Sequence, residues 1–157
     1  MTQLSTKFEQ DIAAFNLMYK LPSSAVPTLQ VGVPLARRLR DLKKILADEL
    51  TEIDGIVDAV EDGAPDPDVL TMIADLLGDI QVYCASEMRK FGIAQAATLE
   101  IIMQSNFSKL GADGQPIYDD TGKVLKGPNY WRPEPRLKAM LFPSRDVDGF
   151  ASAASEA

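Results

Sequence analysis

The sequence predicts an all-α protein: a helical bundle of four to five helices with a loop or β-hairpin segment towards the C-terminus. Apolar residues recur at helical spacing through two long stretches, about 34–60 and about 67–91. Only the short acidic turn EDGAPDP separates them, so the two helices are expected to lie antiparallel as neighbours. From residue 105 to residue 135 the chain becomes rich in Gly, Pro, Asn and Asp, which ends the helical pattern.

Capping and proline signals define the N-terminal elements. Thr6 and Glu9 fit a capping box, and apolar residues continue at helical spacing, which predicts a first helix from about Thr6 to Lys20. The prolines that follow predict an extended loop over 21–33. Pro34 suits the first turn of the long helix that comes next.

The second long helix has both a start and a stop signal. Asp66 followed by Pro67 predicts an N-cap acid with proline at the first helical position. Gly92 predicts the C-terminal cap. Two further helices are predicted beyond it, over about 94–104 and about 136–141.

Two short candidate strands, Pro116–Tyr118 and Lys123–Leu125, flank the turn DDTG and predict a small hairpin. We interpret residues 1–143 as one all-α domain that includes this segment. The Ser-, Ala- and Asp-rich end, 144–157, has the composition of a flexible tail.

Each long helix carries a pair of carboxylates within its apolar pattern. Glu49 and Glu52 lie one turn apart on the first helix, and Asp75 and Asp79 lie one turn apart on the second. The two pairs stand at nearly equal distances along the chain from Ala64 in the turn, so antiparallel helices bring them to similar heights. Two interpretations remain open: a cluster of four facing carboxylates, or solvated helix edges with Lys and Arg partners.

A cluster of ionised carboxylates in a packed interior is unfavourable, because each charge raises the pKa of the others. A hard cation relieves that repulsion. All-oxygen ligands suit Mg²⁺, with Mn²⁺ possible as a substitute, and Mg²⁺ commonly shares its coordination shell with substrate phosphates. Asp48 is either a fifth carboxylate of the cluster or a solvent-facing neighbour.

Composition excludes several classes of function. The chain of 157 residues has no histidine, so His-based acid–base catalysis and His-containing metal sites are excluded. Its net charge of −7 argues against a nucleic-acid partner. We find neither a signal peptide nor an apolar run of membrane length, and therefore expect a cytoplasmic protein without membrane contact. The single Cys84 is expected to be a small buried side chain.

The segment 105–135 combines cations, amides and aromatic rings in one long loop. Such a mixture suits recognition of phosphates and bases, or is a surface hairpin with ordinary solvated lysines. Its candidate residues are Asn106, Lys109, Lys123, Lys126, Tyr130, Trp131 and Arg132.

These motifs together resemble a known family. The blocks ADELTEI and ADLLGDIQVY are similar to the paired acidic motifs of the all-α nucleoside triphosphate pyrophosphohydrolases, the superfamily of MazG-like proteins, dimeric dUTPases and phosphoribosyl-ATP pyrophosphohydrolase. The stretch SNFSKLGADGQPIYDDTGKVLKGPNYWRPEP resembles its small MazG-like or phosphoribosyl-ATP-pyrophosphohydrolase-like branch. The resemblance covers about 6–141.

The resemblance implies an enzyme that hydrolyses a nucleoside triphosphate between the α- and β-phosphates, releasing the monophosphate and pyrophosphate. It implies Mg²⁺ ligands at Glu49, Glu52, Asp75 and Asp79, with Glu49 or Glu52 as the catalytic residue that orients water or accepts its proton. It further implies substrate-binding residues at Asn106, Lys109, Lys123, Lys126 and Tyr130. Family members are usually homodimers or homotetramers, and the broad apolar helical faces of this chain fit that assembly.

One position departs from the family pattern. Leu76 stands where many relatives have a glutamate. The alternative is therefore a non-catalytic helical protein that binds nucleotide or metal, or that only assembles. Neither the substrate base nor the number of metal ions follows from the sequence. Candidates for a base-binding pocket, or alternatively core aromatics, are Phe8, Phe15, Tyr19, Tyr83 and Trp131.

Overall fold

The computed structural model describes residues 6–143, and its regular secondary structure is helical, which confirms the all-α prediction. The described chain divides into two compact units at residue 98. The helices are α1 (Lys7–Met18), α2 (Leu35–Glu61), α3 (Asp66–Lys90), α4 (Gln95–Phe107) and α5 (Glu134–Leu141). In the first unit, α3 packs against both α1 and α2.

The predicted capping box starts α1. Thr6 Oγ1 accepts a hydrogen bond from the Glu9 backbone N–H at 3.2 Å, and Glu9 Oε2 accepts one from the Thr6 backbone N–H at 2.8 Å. The other oxygen of Glu9 accepts from the Ala96 N–H at 3.0 Å, in the first turn of α4. One carboxylate therefore satisfies backbone donors at the starts of two helices. The helix ends at Met18, two residues before the predicted end.

The boundaries of α2 and α3 differ slightly from the prediction. Pro34 precedes α2 as its N-cap instead of lying in its first turn. Asp66 is the first residue of α3 and Pro65 is the cap, so the predicted role of Asp66 as N-cap is displaced by one residue. Gly92 follows the C-cap with φ +65, as its prediction as a helix terminator requires.

A buried polar network joins α1 to α3. Asn16 is 0% exposed, and its Nδ2 donates to the backbone carbonyls of Ser86 at 3.3 Å and Pro22 at 3.1 Å. Ser86 Oγ donates to Asn16 Oδ1 at 2.7 Å. Since a buried polar group without a partner is costly, these bonds fix the position of α1 on α3.

The apolar stripe of α2 is only partly buried. Ile56 lies in the core, and Leu35, Leu42, Ile45 and Leu46 are half-buried. Large apolar side chains on α2 and α3 stay exposed, which we call the apolar α2/α3 surface: Leu39, Leu50, Ile53, Val57, Val60, Leu70, Met72, Ile73 and Leu77. This exposure shows that the first unit alone does not cover its two longest helices.

α3 is also long and rich in apolar residues, so we compared it with membrane-spanning helices. Among the described residues, α3 is the one helix long and apolar enough to cross a membrane, judged by length and composition, so the prediction that no apolar run has membrane length is wrong. Core helices of soluble proteins pass the same test, so this is weak evidence for a membrane span.

Cys84 on α3 is exposed, so its prediction as a buried side chain is wrong. The buried side of α3 runs through its immediate neighbours Ala85, Ser86 and Glu87 and stops short of the thiol.

The second unit holds most of α4, a long loop and α5. α4 extends to Phe107, beyond its predicted end near residue 104, and α5 begins at Glu134, two residues early. The predicted hairpin is present as one antiparallel bridge between Tyr118 and Val124, without extended strands in the described part of the chain. The predicted tail, 144–157, lies outside the described residues.

Two glycines in the first unit give a matched test of the packing. Gly92 and Gly63 both adopt positive φ, at +65 and +76. A Cβ on Gly92 would meet the Val26 carbonyl oxygen at 1.9 Å, whereas a Cβ on Gly63 meets nothing within 4 Å. We predict that Gly63→Ala lowers the free energy of unfolding by about 1–2 kcal/mol, the backbone cost alone. Gly92→Ala should lower it by clearly more.

Urea unfolding of both variants measures the difference. Equal losses would contradict a close approach of the loop before α2 to the end of α3.

Candidate functional site

The candidate site is centred on the Glu49 carboxylate of α2. Its side chain is buried, 9% exposed, and Oε2 has no hydrogen-bond partner among residues 6–143. It is the one fully enclosed side-chain N or O atom in that range without a partner. Because an unsatisfied buried carboxylate oxygen is costly, this atom marks a position where something else is expected to bind.

The surroundings of Glu49 are acidic. Burial raises its pKa, and the charges of Glu52 and Asp79 raise it further, while the nearby Tyr83 hydroxyl acts in the opposite direction. Burial also raises the pKa of Tyr83, and the charges of Glu49 and Asp79 add to that effect. These mutual effects locate Glu49, Glu52, Asp79 and Tyr83 in one region between α2 and α3.

Two other predicted acids lie at the margin of this region. Asp75 is exposed and lines an open groove on α3 together with Asp79 and Phe8. Asp48 is exposed and accepts a hydrogen bond from Lys44 Nζ at 2.6 Å. Of the two alternatives that the sequence left open for Asp48, the structure shows the solvent-facing one. Its charge still contributes to the raised pKa of Glu49.

Leu76 is buried at 6% exposure and packs inside the bundle. The side chain that departs from the family pattern thus contributes apolar packing. Within residues 6–143, no three His, Cys, Asp or Glu side chains come close enough together to hold a metal ion. The donor chemistry nevertheless fits a hard cation, because the unpartnered oxygen belongs to a carboxylate with two further acids beside it.

Tyr83 also lines a cavity of about 360 Å³. Three of the aromatic residues predicted from the sequence as pocket candidates line it, Phe15, Tyr19 and Tyr83. Three charged residues that the sequence reasoning missed line it as well, Arg38, Glu87 and Lys90. Arg38 and Glu87 are 49 residues apart, so no local pattern could have paired them.

The predicted substrate-binding residues lie in the second unit. Asn106 Oδ1 accepts from Lys109 Nζ at 2.8 Å, and Lys126 Nζ lies 4.7 Å from the centre of the Tyr130 ring. The Gly127 N–H donates to the Lys109 carbonyl at 2.8 Å and holds these two pairs alongside each other. A Cβ on Gly127 would meet the Leu110 carbonyl oxygen at 1.9 Å, so only glycine allows this approach.

The remaining residues of that loop are also placed. Lys123 is exposed, and its backbone N–H donates to Asp119 Oδ1 at 2.9 Å. The Arg136 guanidinium lies 3.7 Å from the centre of the Trp131 ring. The structure thus brings four predicted phosphate-binding residues together in the second unit, and it places Glu49, Glu52 and Asp79 in one region of the first.

Comparison with known proteins leaves the family of this chain unassigned. No family model matches the sequence, and no curated protein matches it either. One similar solved structure is a protein from Exiguobacterium sp. 255-15 that carries the provisional name NTP pyrophosphohydrolase, with 23% identity and a TM-score of 0.46. The match covers 87% of this chain and 94% of that one. At this degree of likeness it assigns no activity, and the function must be inferred from the residues of the chain itself.

The burial of Glu49 predicts a stability effect. Its pKa is raised above the ordinary 4.5, so the folded state retains a proton that the unfolded chain releases. The contribution of Glu49 to the free energy of unfolding should therefore fall as the pH rises from about 4.5 through the raised pKa. Glu49→Gln should remove that decrease and make the metal-free protein more stable than the wild type near neutral pH.

Thermal unfolding at acidic and neutral pH, without divalent cations, measures this. Asp58→Asn, an exposed acid on the same helix, is the control and should leave the pH dependence unchanged. Equal pH dependence of stability in the wild type and in Glu49→Gln would contradict the buried position of Glu49.

Proposed function

We propose that this protein is a nucleoside triphosphate pyrophosphohydrolase, which hydrolyses its substrate between the α- and β-phosphates in a Mg²⁺-dependent reaction. One observation carries the proposal: the buried, unpartnered Oε2 of Glu49, with Glu52 and Asp79 beside it. Acidic side chains that raise the pKa of a buried carboxylate are unfavourable for stability alone, and such clusters are typical of functional sites. The resemblance of the acidic motifs to this enzyme superfamily gives the reaction class.

The proposed metal ligands are Glu49, Glu52, Asp75 and Asp79, all on α2 and α3. Bound Mg²⁺, or Mn²⁺ in its place, would neutralise phosphate charge and lower the pKa of a coordinated water. Closing the four carboxylates around an ion requires side-chain rotations, which the exposed Glu52, Asp75 and Asp79 are free to make. Because Glu49 is buried, it is the fixed point of the proposed set.

The residues of the chain supply the other parts of the proposed mechanism. Glu49 or Glu52 orients the attacking water or accepts its proton, and a raised pKa brings Glu49 nearer to the value that suits a general base at neutral pH. We also propose Lys109, Lys123 and Lys126, which all lie in the second unit, as phosphate-binding cations. Asn106 and Tyr130 hold Lys109 and Lys126 in place.

A second candidate function is supported by the apolar α2/α3 surface. Many exposed apolar side chains on two adjacent helices are typical of an assembly surface. A non-catalytic protein that binds nucleotide or metal, or only assembles, would show the same surface and the same acidic residues. Activity separates the two candidates.

The first test is pyrophosphate release from a panel of nucleoside triphosphates with Mg²⁺, Mn²⁺ or EDTA. We predict release that requires the metal and that falls by about 100-fold or more in Glu49→Gln, since the variant loses both a ligand and a base. Asp58→Asn is again the matched control and should retain wild-type activity, because Asp58 is an exposed acid of α2 outside the cluster.

Two results would overturn the proposed function. The first is a folded wild type that releases no pyrophosphate from any triphosphate with either metal. The second is a Glu49→Gln variant as active as the wild type. The first result would favour the assembly role.

The apolar α2/α3 surface supports a further part of the proposal, a homodimer or homotetramer. We predict that light scattering gives a molar mass of at least two chains. Val57→Glu combined with Leu77→Glu should shift it to the monomer, because each charge would be buried between copies. Leu29→Glu, which is also exposed but lies outside these helices, is the control. A monomeric wild type would contradict this assembly.

A further inference from the structure

We propose that the cavity beside Tyr83 binds the nucleobase and that Arg38 and Lys90 select bases with an exocyclic carbonyl over bases with an exocyclic amino group. The inference rests on the proposed function and extends it to a class of substrate. It assigns a specificity-determining role to residues with no part in the proposed metal site.

The cavity has the location that a base requires. Tyr83 lines it, and the charges of Glu49 and Asp79 add to the effect of burial in raising the pKa of the same Tyr83, so the cavity adjoins the acidic cluster. A nucleotide whose phosphates lie near Glu49 would therefore direct its base into this space. Phe15 and Tyr19 line it with rings whose centres are 4.8 Å apart, and leucine and isoleucine side chains complete the wall. Aromatic and apolar surfaces of this kind bind the faces of planar rings.

The polar part of the wall is a buried ion network. Arg38 Nε donates to Glu87 Oε1 at 2.7 Å, and Lys90 Nζ donates to Glu87 Oε2 at 2.8 Å. The side chains are 14%, 6% and 6% exposed for Arg38, Glu87 and Lys90. With two cations and one anion, the network carries one net positive charge within the wall of the cavity.

The free hydrogen-bonding capacity of this network consists of donors. Both oxygens of Glu87 already accept charge-assisted bonds. Arg38 uses only Nε, and Lys90 uses one of its three N–H groups, with no other partner among residues 6–143. Neither Nη1 nor Nη2 of Arg38 is fully enclosed, because among residues 6–143 the one enclosed side-chain N or O atom without a partner belongs to Glu49. These two Arg38 donors are therefore open to a ligand in the cavity that Arg38 lines.

A wall of donors distinguishes between bases by their exocyclic group. Guanine and hypoxanthine present O6 next to N7, which is the pair of acceptors that an arginine or lysine binds best. Uracil and thymine present O4, also an acceptor. Adenine and cytosine present an amino donor at the same position, which leaves a cationic donor unpaired. We therefore expect carbonyl bases to bind more tightly.

Stability does not explain the network. Replacing a buried ion pair or triad by apolar side chains is often neutral or stabilising. Leucine, isoleucine and aromatic side chains already line the same cavity, so an apolar wall is available to this fold. A functional requirement for the free donors accounts for the three charges.

The test measures binding and hydrolysis in parallel. Dissociation constants are determined for two matched pairs of non-hydrolysable α,β-imido nucleotides, those of dUTP and dCTP and those of ITP and ATP, and KM and kcat for the hydrolysable forms. The wild type should prefer the carbonyl member of each pair by about tenfold, the effect of one charge-assisted hydrogen bond. Arg38→Met should reduce the ratio to near one, through Kd and KM and not through kcat.

Two further variants separate recognition from folding. Arg38→Lys keeps the charge and should retain part of the preference, which a purely structural loss would not do. Arg37→Met removes the neighbouring cation, whose side chain is 71% exposed, and should leave the ratio unchanged. If Arg38→Met does not fold, the wild-type ratio and the Arg38→Lys ratio still decide.

Each outcome has one meaning. A wild type that binds both members of each pair equally, or a folded Arg38→Met that keeps the full preference, overturns the inference. A carbonyl preference in binding without hydrolysis of any triphosphate supports the pocket and refutes the proposed activity. Hydrolysis without a carbonyl preference supports the activity and refutes the pocket.

Discussion

The main constraint on the first unit is a buried carboxylate between two helices that both carry acids. Glu49 lies on the packed side of α2, and its unpartnered oxygen is the unfavourable feature that apolar packing elsewhere must offset. Proteins commonly retain such local instability where a ligand relieves it. The buried Leu76 and Ile56 supply apolar packing for the same pair of helices. Stability favours apolar side chains between these two helices, whereas the proposed activity requires acids there.

Much of the fold could be predicted from the sequence, because its signals are local. Capping residues, prolines and glycines set the ends of α1, α2 and α3 to within a few residues, and helical spacing identified Glu49 as a residue of the packed face. α4 ends three residues beyond its predicted end and α5 begins two residues before its predicted start, where the sequence has no strong cap signal. The hairpin was overestimated because turn residues indicate a reversal of the chain but not how many strand residues pair beyond it.

What could not be predicted depends on contacts between distant residues. The Arg38–Glu87 pair joins α2 to α3, and the short spacing of Glu87 and Lys90 is also that of an ordinary surface pair on a helix. Cys84 was placed inside because its residue type is usually buried, although one helical step decides its exposure. The spacing of apolar residues on α2 predicts an apolar face, but it does not show whether other helices of the same chain bury that face.

The bonds of α1 have a consequence for synthesis on the ribosome. Asn16 pairs with a residue 70 positions later, and Glu9 caps a helix 87 positions later. α1 emerges before α3 and cannot reach its partners until α3 and the start of α4 have left the exit tunnel. Until then its apolar side remains available to chaperones and to other nascent chains. Long-range closure of this kind also slows folding relative to a bundle of purely local contacts.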